Sequence, residues 1–113
     1  MGREVRRVDL KWKHPIDNEN EYDPLTPREM AQIAKQKQKL AWTRASRKYY
    51  MMYETTSEGT PISPSFKTKH ELIQWLIENK ASIWGDNEGN YEQWKQICNN
   101  RTSGNLFLKQ VYF

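Results

Sequence analysis

The 113-residue sequence predicts an α+β fold: one long basic helix and two shorter helices packed on a small antiparallel sheet formed by the N- and C-terminal segments. Three observations carry that expectation. Apolar and polar residues alternate near the N-terminus and a β-prone apolar run closes the chain, two Thr-x-x-Glu boxes open helices in the middle, and Pro and Gly punctuate the segments between. The length suits a single domain over 1–113, because the usual size of a domain leaves no room for two buried cores. Hydrophobic residues reach only 36%, yet five Trp, six Tyr and three Phe are present, and each ring removes a large area from water when buried. A folded core is expected.

Val8, Leu10 and Trp12 alternate with Asp9, Lys11 and Lys13, the period of a strand with one buried face. Val5 is out of phase, so the strand is expected to begin near Arg7 or to carry a bulge. His14-Pro15 ends it, since proline has no N–H for the ladder. An acidic loop over about 16–25 follows. Thr26-Pro27-Arg28-Glu29 then opens a helix: Thr26 caps the free amides, Pro27 suits the first turn, and Glu29 completes a capping box. Met30, Ile33, Ala34, Leu40, Ala41, Ala45 and Met52 share one helical face, and Trp42, Tyr49 and Tyr53 form a second stripe. The spacing predicts a helix over about 27–53.

A loop over about 55–67 contains Pro61 and Pro64, each of which pushes its predecessor toward extended geometry. Thr68-Lys69-His70-Glu71 is a second capping box, opening a helix with Leu72, Ile73, Trp75 and Leu76 inward. After a turn over 85–89, Asn90 caps a third helix whose apolar side is Tyr91, Trp94, Ile97 and Cys98. Trp75, Trp84 and Trp94 are expected in the core. The run 106–113 is apolar on both faces, with Leu106, Leu108 and Tyr112 opposite Phe107, Val111 and Phe113. Such a strand wants cover on both sides. Pairing with the N-terminal strand is expected, and so is a homo-oligomer, most simply a two-fold dimer.

Catalytic chemistry has little to work with. His14 and His70 are the only histidines, and His70 sits in a helix start, so a nucleophile–base–orienter arrangement is not expected. Neither GxGxxG nor GxxxxGK[ST] occurs. The Asp17, Glu19, Glu21, Asp23 alternation lacks the central Gly and terminal Glu of a calcium loop. Cys98 is the single cysteine; it makes neither an internal disulfide nor a zinc site and reads as a small buried hydrophobe. No enzyme, metal or cofactor is therefore expected. No apolar run approaches the roughly 20 residues of a membrane span, and the basic residues after Met1 lead into no signal-peptide core. The expected compartment is the cytoplasm, with no membrane partner.

Binding is what remains. The net charge of +4 favours anionic partners. In the basic stretch, Arg and Lys neutralise phosphate while Trp and Tyr offer stacking surfaces. The expected ligand-binding residues are Trp42, Arg44, Arg47, Lys48, Tyr49 and Tyr53, with Arg6 and Arg7. Aromatic stripes at helical spacing are also what ordinary packing looks like, with the cations as a solvated face. Both readings stand on the sequence.

Two segments carry a resemblance. Gly2-Arg3-Glu4-Val5-Arg6-Arg7-Val8, followed by Trp12 and His14-Pro15, resembles the opening of small phage and prophage proteins of uncharacterised function. Pro61-Ile62-Ser63-Pro64-Ser65-Phe66-Lys67-Thr68, followed by Glu71-Leu72 and Trp75-Leu76, resembles a second stretch of the same proteins. The resemblance implies phage origin and, by association with small non-catalytic accessory proteins, counter-defence in a bacterial host. The expected partner is a nucleotide signal or another phosphate-bearing, anionic ligand. The alternatives are a host defence protein, blocked as anti-CRISPR-type inhibitors block theirs, or DNA or RNA bound as nucleic acid.

Overall fold

The computed structural model describes residues 2–99, and within them the α+β class holds. In chain order the elements are β1 (Arg3–Val8), α1 (Pro27–Gln36), β2 (Tyr49–Glu54), β3 (Thr60–Pro61), α2 (Lys69–Glu78), β4 (Ser82–Trp84), β5 (Asn87–Glu88) and α3 (Tyr91–Asn99). β1, β2 and β3 form an antiparallel sheet in that order, and β4 and β5 form a separate hairpin. The run 106–113 and the Trp84 side chain, both assigned structural roles by the sequence, lie outside the described residues.

The β1–β2 pairing sets the layers. Val5 stands opposite Met52, Arg7 opposite Tyr50, and Val8 opposite Tyr49. Side chains alternate across a strand, so Val5, Tyr50 and Met52 share one face, while Val8, Tyr49, Met51 and Tyr53 share the other. The first face packs on Leu72, Ile73 and Leu76 of α2 and on Trp94, Ile97 and Cys98 of α3. The second packs on Met30 and Ala34 of α1, with Trp12 and Leu25. The sheet is thus covered on both sides, α1 against α2 and α3.

Helix starts obey the sequence closely. Thr26 Oγ1 accepts from the Glu29 N–H at 3.2 Å, and the Thr26 N–H donates to Glu29 Oε1 at 2.9 Å. Hydrogen bonds from the Thr26 backbone N–H, and then from its side chain, hold the Glu29 carboxyl below its ordinary range. Thr68 Oγ1 accepts from the Glu71 N–H at 3.1 Å, and Asn90 exchanges reciprocal bonds with Gln93 at 3.0 and 2.9 Å. The expected turn over 85–89 is tighter than a loop: Gly85, at φ 57°, and Asp86 join β4 to β5. Among the described residues no helix is long and apolar enough to cross a membrane.

Three expectations are corrected. The helix over 27–53 stops at Gln36, where the chain leaves through Lys39 in the left-handed region (φ 59°) and the Leu40 N–H returns to the Ala34 carbonyl. Residues 49–54 are a strand instead. Their Tyr and Met side chains fit a period of two as well as the 3.6 of a helix, and pairing with β1 decides between them. The N-terminal strand begins at Arg3 and ends at Val8, earlier than expected. Asp9 turns the chain, accepting from Lys11 N–H at 2.8 Å through its side chain and from Trp12 N–H at 2.9 Å through its carbonyl. Trp12 is buried by that turn, whereas Leu10 is left 61% exposed. The loop over 55–67 contains β3, and Phe66 bridges to Tyr50. The acidic stretch closes on itself: Asp17 Oδ1 accepts from the N–H groups of Glu19 and Glu21 at 2.8 and 3.0 Å, and Ile16 bridges Tyr22.

A buried polar chain fastens that loop to the sheet. Trp12 Nε1–H donates to Tyr53 Oη at 3.2 Å, and Tyr53 Oη lies 2.9 Å from His14 Nδ1. His14 Nε2 lies 2.5 Å from the Asp23 carbonyl. A carbonyl only accepts, so Nε2 carries the proton and Nδ1 accepts from the Tyr53 hydroxyl. Burial pushes the His14 pKa below 6.5; the Asp23 carbonyl opposes this and the Arg6 charge reinforces it. The unfolded chain therefore takes up a proton before the native one does. Stability from this group is complete above pH 6.5 and is lost as pH falls through the lower native pKa. The melting temperature should fall as the pH drops from 6.5 toward that lower native value, and His14→Gln should flatten the fall. Equal pH profiles for the variant and the parent protein would contradict it.

Candidate functional site

The turn at residues 43–46 presents the arginines. Thr43 N–H donates to Ser46 Oγ at 2.9 Å, and Ser46 N–H donates back to Thr43 Oγ1 at 3.1 Å. Such reciprocal side-chain bonds fix a short turn without helix or strand. Arg44 and Arg47 project from it beside Arg7 of β1. Together with Val5, Tyr50, Cys98 and Lys69 at the start of α2, they line a cavity of about 400 Å³. A second cavity, about 450 Å³, shares Val5, Arg7 and Arg47 and is walled by Pro27, Met30, Ala31 and Trp42, with Glu4, Arg6 and Arg28.

Backbone carbonyls and aromatic rings hold these cations in place. Arg7 Nε donates to the Arg47 carbonyl at 2.9 Å, and its guanidinium lies 5.8 Å from the Tyr50 ring centre. Arg47 Nε donates to the Thr43 carbonyl at 3.1 Å, with its guanidinium 5.6 Å from the Trp42 ring centre. Lys69 Nζ sits 5.6 Å from the Tyr50 ring centre. Carbonyls and aromatic faces orient a cation but do not cancel its charge. Among the described residues no carboxylate lines the Lys69 cavity, and the only ion pair is Arg6–Glu4. Burial, and then the charges of Arg7 and Arg44, hold the Arg47 pKa below its ordinary value. Three guanidiniums crowded in this way repel one another, and an anion between them relieves the repulsion. Phosphate, with its several acceptor oxygens, matches the guanidinium fork.

Of the residues singled out in the sequence, Arg7, Trp42, Arg44 and Arg47 come together here. Four do not. Arg6 is 8% exposed and saturated: Nε pairs with Glu4 at 2.7 Å, one terminal nitrogen reaches the Leu25 carbonyl at 2.7 Å, and the other the Glu58 carbonyl at 3.0 Å. Its guanidinium covers the Tyr53 ring at 4.5 Å. Tyr53 lies wholly inside, in the His14 chain, and burial pushes its hydroxyl up to about 12. Tyr49 packs in the α1-side core, on the sheet face away from Tyr50. Lys48 is exposed and lines neither cavity. The helical reading of 49–53 placed Tyr49 and Tyr53 beside Trp42; as a strand, the segment turns both into the core.

Tyr50, Lys69 and Arg28 went unnoticed in the sequence. Tyr50 is accessible to a strand reading of 49–54, which puts it on the face of Arg7. Lys69 enters from 22 positions beyond Arg47, and no local pattern marks it. Cys98 lines the cavity but is buried, and burial pushes its thiol up to about 11, so it serves as packing rather than as a nucleophile. His70, exposed, meets the Tyr91 hydroxyl at 2.8 Å, away from these residues. Compared with protein-family models, curated proteins and solved structures, the chain matches none.

Proposed function

We propose that this protein is a non-catalytic binder of a phosphate-bearing ligand, and that it is a phage-encoded counter-defence protein that sequesters a nucleotide signal. One observation carries the binding half: Arg7, Arg44, Arg47 and Lys69 line a single cavity to which no described residue contributes a carboxylate. The volume of about 400 Å³ suits a small ligand, whereas duplex or single-stranded nucleic acid is tracked by a longer stripe of charge. The phage and counter-defence half rests on the two resembling segments, around Gly2–Val8 and Pro61–Thr68.

A thermal-shift titration with inorganic phosphate, pyrophosphate, and linear and cyclic nucleotides at near-physiological salt tests the binding half. A ligand at a hundredfold excess over its Kd should raise the melting temperature by about 10 °C or more. No shift with any phosphate compound at millimolar concentration would refute the proposal. Binding confined to oligonucleotides, and falling steeply with salt, would replace it with nucleic-acid binding.

A further inference from the structure

The two cavities share Val5, Arg7 and Arg47 as lining residues, and their walls differ in kind. One is cationic, ending at Arg44 and Lys69; the other sets the apolar walls of Pro27, Met30, Ala31 and Trp42 beside Glu4, Arg6 and Arg28. Each falls within the roughly 300–1,000 Å³ typical of small-molecule sites. Free inorganic phosphate would leave the Trp42 cavity empty, and an apolar ligand would leave the cations uncompensated. A ligand joining a charged end to a flat apolar body uses both.

Resting on the phosphate-binding reading above, we infer that the site takes a mononucleotide end-on. The 5′-phosphate lies among Arg7, Arg44 and Lys69, and the base lies in the Trp42 cavity. Arg47 serves both halves. Its Nε is tied to the Thr43 carbonyl and its guanidinium rests over Trp42, so the group is oriented before a ligand arrives. A guanidinium plane supplies charge to a phosphate and a stacking surface to a base, which lysine cannot do. Val5, common to both cavities, is an apolar wall beneath the sugar. A phosphodiester backbone lacks the doubly charged terminal phosphate that the cationic end suits best.

The test is calorimetric titration of the full chain with the four nucleoside 5′-monophosphates and with ribose 5-phosphate. The last keeps the charge and sugar and lacks the base. At least one nucleotide should bind about ten- to a hundredfold tighter than ribose 5-phosphate, the usual contribution of one stacked base. Trp42→Ala should erase that advantage. Because Trp42 also packs on Trp12 at 5.2 Å, Ala31→Leu is the second variant, filling the Trp42 cavity from the face of α1 without removing a core contact. It should erase the same advantage and leave ribose 5-phosphate affinity within about twofold. Lys69→Ala should weaken both ligands together. Equal affinity of nucleotides and ribose 5-phosphate overturns the base subsite while the phosphate reading survives. Failure of every one of these probes to bind overturns both.

Discussion

Arg6→Ala is expected to lower the free energy of unfolding by about 3–5 kcal/mol while leaving pyrophosphate affinity unchanged in protein that remains folded, since Arg6 does not line the cationic cavity. The guanidinium donates to two carbonyls that belong to different loops, Leu25 before α1 and Glu58 before β3. Hydrogen bonds from a charged donor contribute roughly 1.5–3 kcal/mol each, and truncation leaves both acceptors facing a void. The Met30 sulfur at 3.0 Å and the Tyr53 ring lose their partner as well. Domains of this size are stable by about 5–15 kcal/mol in all, so the variant approaches its threshold. Arg6→Lys should fall between the two, since one ammonium cannot span both loops. Denaturant unfolding measures this directly. A midpoint unchanged in Arg6→Ala would show that the side chain is dispensable to the fold and reopen it as a ligand contact. Gly59 agrees with the structural role: at φ 134° it runs beneath the Arg6 guanidinium, where any Cβ would collide with it and with the Leu25 carbonyl.

The second large effect is on binding alone. Arg44→Glu should weaken inorganic pyrophosphate about a hundredfold and leave the melting temperature unchanged or slightly raised. Arg44 is exposed and makes no side-chain hydrogen bond among the described residues, so the fold does not depend on it. Reversal substitutes repulsion for attraction at the ligand, and it also places a carboxylate beside Arg47, whose pKa its cationic neighbours hold down. The same pairing that steadies Arg47 would occupy the site internally. Arg44→Ala should cost about tenfold and flatten the salt dependence of affinity. Calorimetry at two salt concentrations reads both effects. A charge-reversed protein that binds pyrophosphate like its parent would place the anion elsewhere.

Much of the local structure was legible because its causes are local. Thr26 with Glu29, Thr68 with Glu71, and Asn90 with Gln93 set their helix starts through bonds spanning three residues, and those signals survive any tertiary environment. The inward faces of α2 and α3, with Leu72, Leu76, Trp94 and Ile97, follow from helical periodicity alone. Arg44 and Arg47 were legible as ligand candidates for a wrong reason. They were placed on a helix, and in the fold a turn of the chain presents them.

What the sequence determined by itself is the α+β class, the three helix starts, the inert burial of Cys98 and a surplus of positive charge with Arg7, Trp42, Arg44 and Arg47 near its centre. Only the tertiary structure decided the state of 49–54, because the run Tyr49-Tyr50-Met51-Met52-Tyr53 satisfies two periods equally and the edge of β1 breaks the tie. The same choice sent Tyr49 and Tyr53 into one core and turned Tyr50 toward Arg7. It also separated adjacent arginines by function: Arg6 faces α1 and is consumed by carbonyls, whereas Arg7, one residue on, faces the opposite side and meets Lys69 from α2. A one-residue step along a strand reverses the side chain, and no reading of composition or charge can supply that sign until the strand has a partner.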